Sequence, residues 1–408
     1  MIKKITKNEL KLGMYIHDLN CGWMNHSFFK KSFMLRKEAD LKTILAAPND
    51  DIYIDTLKGM DALSQPEGED LGQPSGIEPI LGRDRVVPPP DRTGFREERG
   101  LARQIKHEAN VVIRALLTDV RMGRQVRPER LRPIVTRITD SILRNPGTLV
   151  SLCRIREADT CTFQHSVSVC ALLVMFCHYL KLDGDIVREA GMGGLLHDIG
   201  KMRVPDHILN KPGKLSPAEF EVMKGHVALG LETLRQTPGI SDLVLQVAGE
   251  HHERFTGGGY PNQRKGEEIS PLGRMASIVD VYDALTSIRV YHKSIEPAEA
   301  LRHLYQWSPD FFDEELVQHF IQAIGIYPVG SLVRLASGRL AVVIDQNEGG
   351  PLRPMVRVVY DLSRNRAMAP VDVDLSQVDP DGDGIITHED PKAWNLDPDY
   401  FLNLEIDP

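Results

Sequence analysis

The stretch Gly194-Leu195-Leu196-His197-Asp198-Ile199-Gly200-Lys201 decides how this chain is read. An apolar run ends in an adjacent imidazole and carboxylate, and a glycine and a lysine follow at once. By itself a His-Asp pair is an ordinary surface or cap pair. Its weight comes from its surroundings, with His165 upstream and His226, His251-His252 and Asp280 downstream. A divalent metal takes several nitrogen or oxygen ligands, and two metals sharing a carboxylate take about six or seven from different elements. His165, His197, Asp198, His226, His251, His252 and Asp280 make seven candidates.

The periodicity around this stretch is helical. Val167, Cys170, Ala171, Val174 and Cys177 recur at three and four residues and predict a helix beginning near His165. Taken alone, a histidine at the start of such a stripe reads as a satisfied structural residue. Residues 185–196 predict a second helix that delivers His197 and Asp198, after which Gly200 lets the backbone turn or approach closely. Ser216-Pro217-Ala218-Glu219 offers Ser at the N-cap, Pro at N1 and Glu at N3, and opens a predicted helix that carries His226. Another helix, about 240–251, ends in His251-His252-Glu253-Arg254. Thr256-Gly257-Gly258-Gly259-Tyr260-Pro261 cannot be regular helix. Such glycines are usually slack, but beside a dense ligand set they admit a bulky substrate. Helix resumes over 278–287, with Asp280 and Asp283 one turn apart.

Outside this region the pattern changes several times. Residues 1–60 hold β-like runs at 14–17 and 51–55 around a helical pattern near 38–46, a small α/β module. His17, Trp23 and His26 there read as packing or surface residues before they read as ligands. Glycines, acids and Pro88-Pro89-Pro90 break every period between 61 and 95, which predicts a linker. Helical spacing returns over 96–144 with Ile105, Val112, Ile113 and Leu116, as connecting helices to a helical core at 145–325. Alternating runs over 328–376 predict a small antiparallel β appendage, followed by an acidic tail at 377–408. In that tail Asp379, Asp381, Asp383 and Gly384 fit a calcium loop in part. Pro391 stands where a helix should begin, and a solvated acidic turn is the simpler reading.

Composition narrows the function. With 408 residues, two or three domains are expected, and 42% hydrophobic content allows real cores. A net charge of −8 and a pI near 6.0 exclude a general duplex nucleic-acid surface. Five cysteines without regular spacing suggest reduced thiols and a cytoplasmic address. The basic start lacks the apolar run of a signal peptide, and the apolar run 167–180 is shorter than the roughly 20 residues that span a bilayer, so no membrane insertion is expected.

The core resembles the HD-GYP family, bacterial phosphodiesterases of cyclic di-GMP within the HD hydrolases. The matching pieces are His197 to Lys201, Pro205 with Ile208 to Leu215, His226, His251 to Arg254, Gly257 to Pro261, and Asp280 to Ser287. Gly13-Met14-Tyr15 and Tyr53-Ile54-Asp55 resemble the domain that often precedes that core. The resemblance implies a mostly α fold and ligation of two divalent transition metals by the seven candidates, with Asp198 as the bridge. Iron or manganese suits this mixed imidazole and carboxylate set, and zinc or nickel is compatible with it. It further implies Asp198 and Lys201 as catalytic residues, Lys201 lying near the scissile phosphate. Gly259, Tyr260 and Pro261 would form the substrate loop, and Arg289 would meet a phosphate or guanine. Some members hold a third metal with a Glu four residues before the first His. Cys161 stands at that position, which favours two metals. Thr256 replaces the family's usual Asp or Asn at the loop.

The implied activity is hydrolysis of cyclic di-GMP to pGpG or on to GMP, with GGDEF-type signalling proteins as partners and a homodimer as a further expectation. The alternatives are a non-catalytic cyclic di-GMP sensor and an HD hydrolase of another nucleotide. The full ligand set with Lys201 favours catalysis over the first, and the Gly-Tyr-Pro loop speaks against the second.

Overall fold

The computed structural model describes residues 2–6, 10, 14–18, 33–35, 41, 44–45, 51–55, 93–154, 161–287, 295–346, 352–379 and 382–404. The chain divides into two compact units, Met1–Gly76 and Ile77–Pro408.

The first unit is a four-stranded antiparallel sheet of β1 (Ile2–Thr6), β2 (Tyr15–Asp18), β3 (Phe33–Met34) and β4 (Asp51–Asp55), in the order β1-β4-β2-β3. Strand alternation sends Ile52 and Ile54 inward to Met14, Ile16, Leu35 and Ile44. Of the helix expected at 38–46, positions 41, 44 and 45 are helical and the others lie outside the described residues, as do Trp23 and His26.

The second unit begins with helix Phe95–Arg121, which buries Ala102, Ile105, Ala109, Ile113 and Leu116 at helical spacing. Pro128–Arg144 and Pro146–Arg154 lead to the central helix Cys161–Tyr179. That helix starts before His165, so His165 stands inside it and not at its mouth. Val167 to Cys177 are all buried, as befits a helix enclosed by others. Gly184–Leu196 and Pro271–Thr286 pack against it, Asp242–Glu250 packs against those two, and Pro297–Phe311 and Glu314–Ile324 close the bundle. Cys153, Cys170 and Cys177 are buried free thiols.

The expected helix carrying His226 is two helices. Ser216 and Glu219 do form a reciprocal capping box, but Pro217–Lys224 ends at Gly225 and a new helix runs from His226 to Arg235. The break sets His226 at a helix start, facing the site.

Five antiparallel strands follow: β5 (Leu332–Leu335), β6 (Arg339–Asp345), β7 (Met355–Asp361), β8 (Arg366–Asp374) and β9 (Ile385–His388), in the order β8-β7-β6-β5-β9. Strand β9 lies in the stretch read as an acidic tail; it pairs with β5, Val333 opposite His388. Helix Pro398–Asn403 adds Leu402 to the core of Phe95, Leu332, Leu340, Val342, Ile344 and Val359. Among the described residues no α-helix flanks the calcium-like segment: a 3-10 turn, Leu375–Gln377, precedes it, β9 occupies its second half and a 3-10 turn, Pro391–Trp394, follows. Asp383 accepts hydrogen bonds from the Ser337 N–H (2.8 Å) and hydroxyl (2.6 Å), and Asp390 caps the turn at Lys392. Among the described residues no helix is long and apolar enough to cross a membrane.

Candidate metal centre

Helix ends deliver most of the site. His197 and His251 are the C-caps of Gly184–Leu196 and Asp242–Glu250, and His226 follows the C-cap of Pro217–Lys224. The last carbonyls of a helix lack an intrahelical partner, and each histidine uses one. Nδ1 of His197 donates to Gly194 O (2.7 Å), that of His226 to Met223 O (2.7 Å), and that of His251 to Ala248 O (2.9 Å). A ring that donates from Nδ1 presents a bare lone pair at Nε2, the form that binds metal.

The close approach depends on Gly200. A Cβ there would lie 1.9 Å from His226 O, so the 3-10 turn Ile199–Arg203 rests directly on the start of the His226 helix.

All seven candidates converge, in two sets. The possible ligand atoms of Asp198, His226, His251 and His252 lie within 4.8 Å of one another, and so do those of His165, His197 and Asp280. Asp198 stands between the sets. Its Oδ1 is 3.3 Å from His226 Nε2 and 3.8 Å from His251 Nε2, while its Oδ2 is 3.3 Å from His197 Nε2 and 3.6 Å from His165 Nε2. Asp198 Oδ1, His226 Nε2 and His251 Nε2 are buried without a hydrogen-bond partner. Buried polar atoms are normally paired; three orphans aimed at one another fit a bound cation. Lys201 Nζ lies 2.5 Å from Asp198 Oδ2.

The electrostatics agree. Burial pushes the Asp198 carboxyl up, but Lys201 and His197 outweigh it and hold it well below the usual range. Asp280 behaves likewise: burial raises it, and the hydrogen bond and charge of His165 win. Burial and the neighbouring His252 and His197 hold His251 well below the ordinary value, and burial takes His252 down to about 3. Burial also depresses His165, yet hydrogen bonds to Asp280 and Asp283 bring it to about 8. Two ionised carboxylates, with His251 and His252 held in the neutral form, are donors for divalent cations, and His165, paired at both nitrogens with carboxylates, gives up a proton to join them.

Beside the sets lies the loop that follows His252. The Tyr260 ring sits 4.7 Å from the His252 ring at 34°, and the Tyr260 N–H donates to His252 O (3.2 Å). A Cβ at Gly259 would stand 2.3 Å from Arg254 N, so only glycine lets the loop fold back this far. The Tyr260-Pro261 peptide is cis. Thr256 donates to Asp310 O (2.5 Å) and touches no candidate ligand. Arg289 lies outside the described residues, as does the side chain of Cys161.

Three buried acids complete the site and were given no role from the sequence, although Asp283 stood out one turn from Asp280. Asp283 accepts from His165 Nδ1 at 2.6 Å and from the Ser168 hydroxyl. Glu253 accepts from the N–H groups of Asn262 (2.7 Å) and Arg264 (3.1 Å), holding the loop just past Pro261. Glu250 accepts from Ser270 N–H (2.8 Å) and from the Arg264 guanidinium. For Asp283 and Glu250 the available signal was an acid inside an apolar helical stretch, where an unpaired charge is costly; Glu253, beyond the helix end, carried no such mark.

Residues 154–316 match the HD domain, residues 2–131 a domain of unknown function (DUF3391), and residues 332–379 the KOW domain associated with the HD domain. A cyclic di-GMP phosphodiesterase of Pseudomonas aeruginosa is 39% identical over 407 residues, covering 99% of this chain and 95% of its own. The chain belongs to the HD-GYP family. A cyclic di-GMP phosphodiesterase of Thermotoga maritima is 38% identical over 152 residues, 35% of this chain and 41% of its own. A 3'3'-cGAMP-specific phosphodiesterase of Vibrio cholerae is 39% identical over 140 residues, 34% of this chain and 32% of its own. As an HD-GYP protein it is a hydrolase with metal-binding clusters of histidine and aspartate.

Proposed function

We propose that this chain is a two-metal phosphodiesterase that hydrolyses cyclic di-GMP to linear pGpG. The observation that carries the reading is the placement of Asp198, whose two carboxylate oxygens face different ligand sets. Asp198, His226, His251 and His252 would hold one cation, and His165, His197 and Asp280 with Asp198 the other. Iron or manganese suits these donors. Held there, two such cations would supply a water of lowered pKa and electrostatic relief for the phosphoryl oxygens.

In the reaction, water adds its oxygen to phosphorus while the P–O3′ bond breaks, leaving a 5′-phosphate and a 3′-hydroxyl. The chain's own residues prepare that step. The Lys201 ammonium, 24% exposed, reaches from Asp198 toward the open side and can meet a non-bridging phosphate oxygen. Tyr260, tilted against His252 and backed by Gly259 and Pro261, offers a flat wall for a nucleotide at the mouth. Glu253 and Glu250 keep that wall in place through the backbone of residues 262–270. On this reading a GGDEF-type protein supplies the nucleotide in the cytoplasm, and Arg289 contributes to binding it.

Cyclic di-GMP is preferred to 3'3'-cGAMP as substrate because the relative matched over 99% of this chain is named for the former, while the cGAMP-specific relative matches over 34%. The test is kcat/KM for both nucleotides on protein reconstituted with manganese or iron. At least about a tenfold preference for cyclic di-GMP is expected, about 1.4 kcal/mol at the transition state. A preference for cGAMP would reassign the substrate, and inertness toward both would remove the enzymatic reading.

A further inference from the structure

The two ligand sets are built differently. In the set of four, His226 and His251 are oriented by carbonyls at helix ends, Met223 O and Ala248 O, and main chain alone fixes both rings. In the set of three, His197 uses Gly194 O in the same way. His165 cannot, because it stands inside helix Cys161–Tyr179, where the preceding carbonyls belong to the helix ladder. Its orientation must come from another side chain, and Asp283 supplies it.

Asp283 reaches His165 from helix Pro271–Thr286, which also carries Asp280 one turn earlier. The spacing of three puts both carboxylates on one helix face. Asp280 Oδ1 lies 3.0 Å from His165 Nε2 and Asp283 Oδ2 lies 2.6 Å from Nδ1, so one helix grips both nitrogens of the ring. Asp283 is itself held. Its Oδ1 accepts from the Ser168 hydroxyl, one turn along from His165, and from Ser287 Oγ at 3.4 Å; the side chain is 2% exposed.

We propose that Asp283, steadied by Ser168, is the positioning residue of one half of the metal centre only. It sets the His165 ring for the His165–His197–Asp280 site, while the Asp198–His226–His251–His252 site is assembled without it. The inference rests on the two-metal reading and assigns unequal construction to its two sites.

The experiment strips the full-length protein with chelator, reloads it with Mn2+, and measures bound metal by elemental analysis and titration calorimetry. The unmodified chain should hold about two metals. Asp283→Ala should keep one at unchanged affinity and bind the other about 10- to 100-fold more weakly, the usual cost of losing the partner that orients a metal-binding histidine. Asp283→Asn keeps an acceptor for Nδ1 and should restore most of that affinity, whereas Asp283→Leu, which fills the space without an acceptor, should not. Ser168→Ala, milder and safe for folding, should weaken the same single class of site by a few-fold. If Asp283→Ala fails to fold, the Asn and Ser168 variants carry the test. Two metals bound with unchanged affinity in the alanine variants, or equal weakening of both sites, would overturn the inference. A count other than about two in the unmodified chain would instead break the two-metal reading beneath it.

Discussion

The metal centre and the junction between the helical core and the C-terminal sheet both bury carboxylates, and they treat them in opposite ways. At the junction every oxygen is filled. Glu98 accepts from Ser141 Oγ (2.7 Å) and from Arg144 through Nε (2.7 Å) and NH2 (2.8 Å), with Thr93 Oγ1 at 3.2 Å. Asp345, at the end of β6, accepts from the N–H of Phe95 (3.1 Å), from Asn145 (3.1 Å) and from Gln346 N–H (2.8 Å). It thereby caps the long helix Phe95–Arg121 and ties the sheet to it. At the metal centre Asp198 Oδ1 and two imidazole nitrogens are left without hydrogen-bond partners. The satisfied carboxylates of the junction serve the fold, while the open oxygen of Asp198, facing two open imidazole nitrogens, fits a bound cation.

That contrast is broken or sharpened by substitutions on each side. Asp198→Ala removes the carboxylate shared by both ligand sets. It should strip the metals and lower turnover by about 1000-fold or more, the loss of some 4 kcal/mol or more of transition-state stabilisation. The far-ultraviolet circular dichroism should be unchanged, because Asp198 belongs to no apolar stripe. Metal retention with near-normal turnover would end the special status of the unpaired oxygen.

Tyr260→Ala acts beside the centre and not within it. Metal content should stay at that of the unmodified protein, while kcat/KM for cyclic di-GMP falls about 10- to 100-fold through misplacement of the nucleotide. Parallel loss of metal would show that Tyr260 supports His252 and not the substrate.

Glu98→Gln should do the reverse: unchanged metal content and kcat, and lower stability. Breaking a fully buried ion pair costs roughly 3–5 kcal/mol. Arg144 keeps 20% exposure, so about 2 kcal/mol is expected by denaturant titration. Burial pushes the Glu98 carboxyl up, but the hydrogen bonds from Arg144 and Ser141 outweigh it and lower its pKa below 4.5. A depressed folded-state value stabilises above the unfolded value and is lost as pH falls through the folded one. The stability gap between the unmodified and Gln proteins should therefore be full above about pH 4.5 and shrink below it. A gap independent of pH would mean that packing, not charge, holds the junction.

The smallest effect belongs to the aspartates that resemble a calcium loop. Asp383 already serves Ser337, so Asp383→Ala should cost about 1 kcal/mol of stability. Calorimetry should detect no calcium site tighter than the millimolar range. A micromolar site would move this segment to the other side of the comparison.

The contrast also explains what could be read from the sequence. The helical core and the gathering of His165, His197, Asp198, His226, His251, His252 and Asp280 were legible because most of these candidate ligands sit in short motifs at helix ends, with His165 and Asp280 inside helices of clear period. The junction was not. Glu98 and Arg144 are 46 residues apart, and Asn145 and Asp345 are 200 apart, and no local period marks such pairs. Asp283 was visible as an acid one turn from Asp280, but its task depends on His165, 118 residues away. The break at Gly225 was hidden because both flanking segments favour helix. Strand β9 was hidden because the acidic residues before it dominate the local composition and its partner β5 lies some 50 residues upstream.

The central claim is that the open carboxylate of Asp198 serves hydrolysis. It is tested most directly by incubating the unmodified, metal-reconstituted protein with cyclic di-GMP and separating the nucleotides over time, beside Asp198→Ala. Conversion to linear pGpG by the unmodified protein, and none above background by the variant, is expected. Saturable binding of cyclic di-GMP by the fully metallated protein, with the nucleotide recovered intact, would contradict it and make the site a sensor.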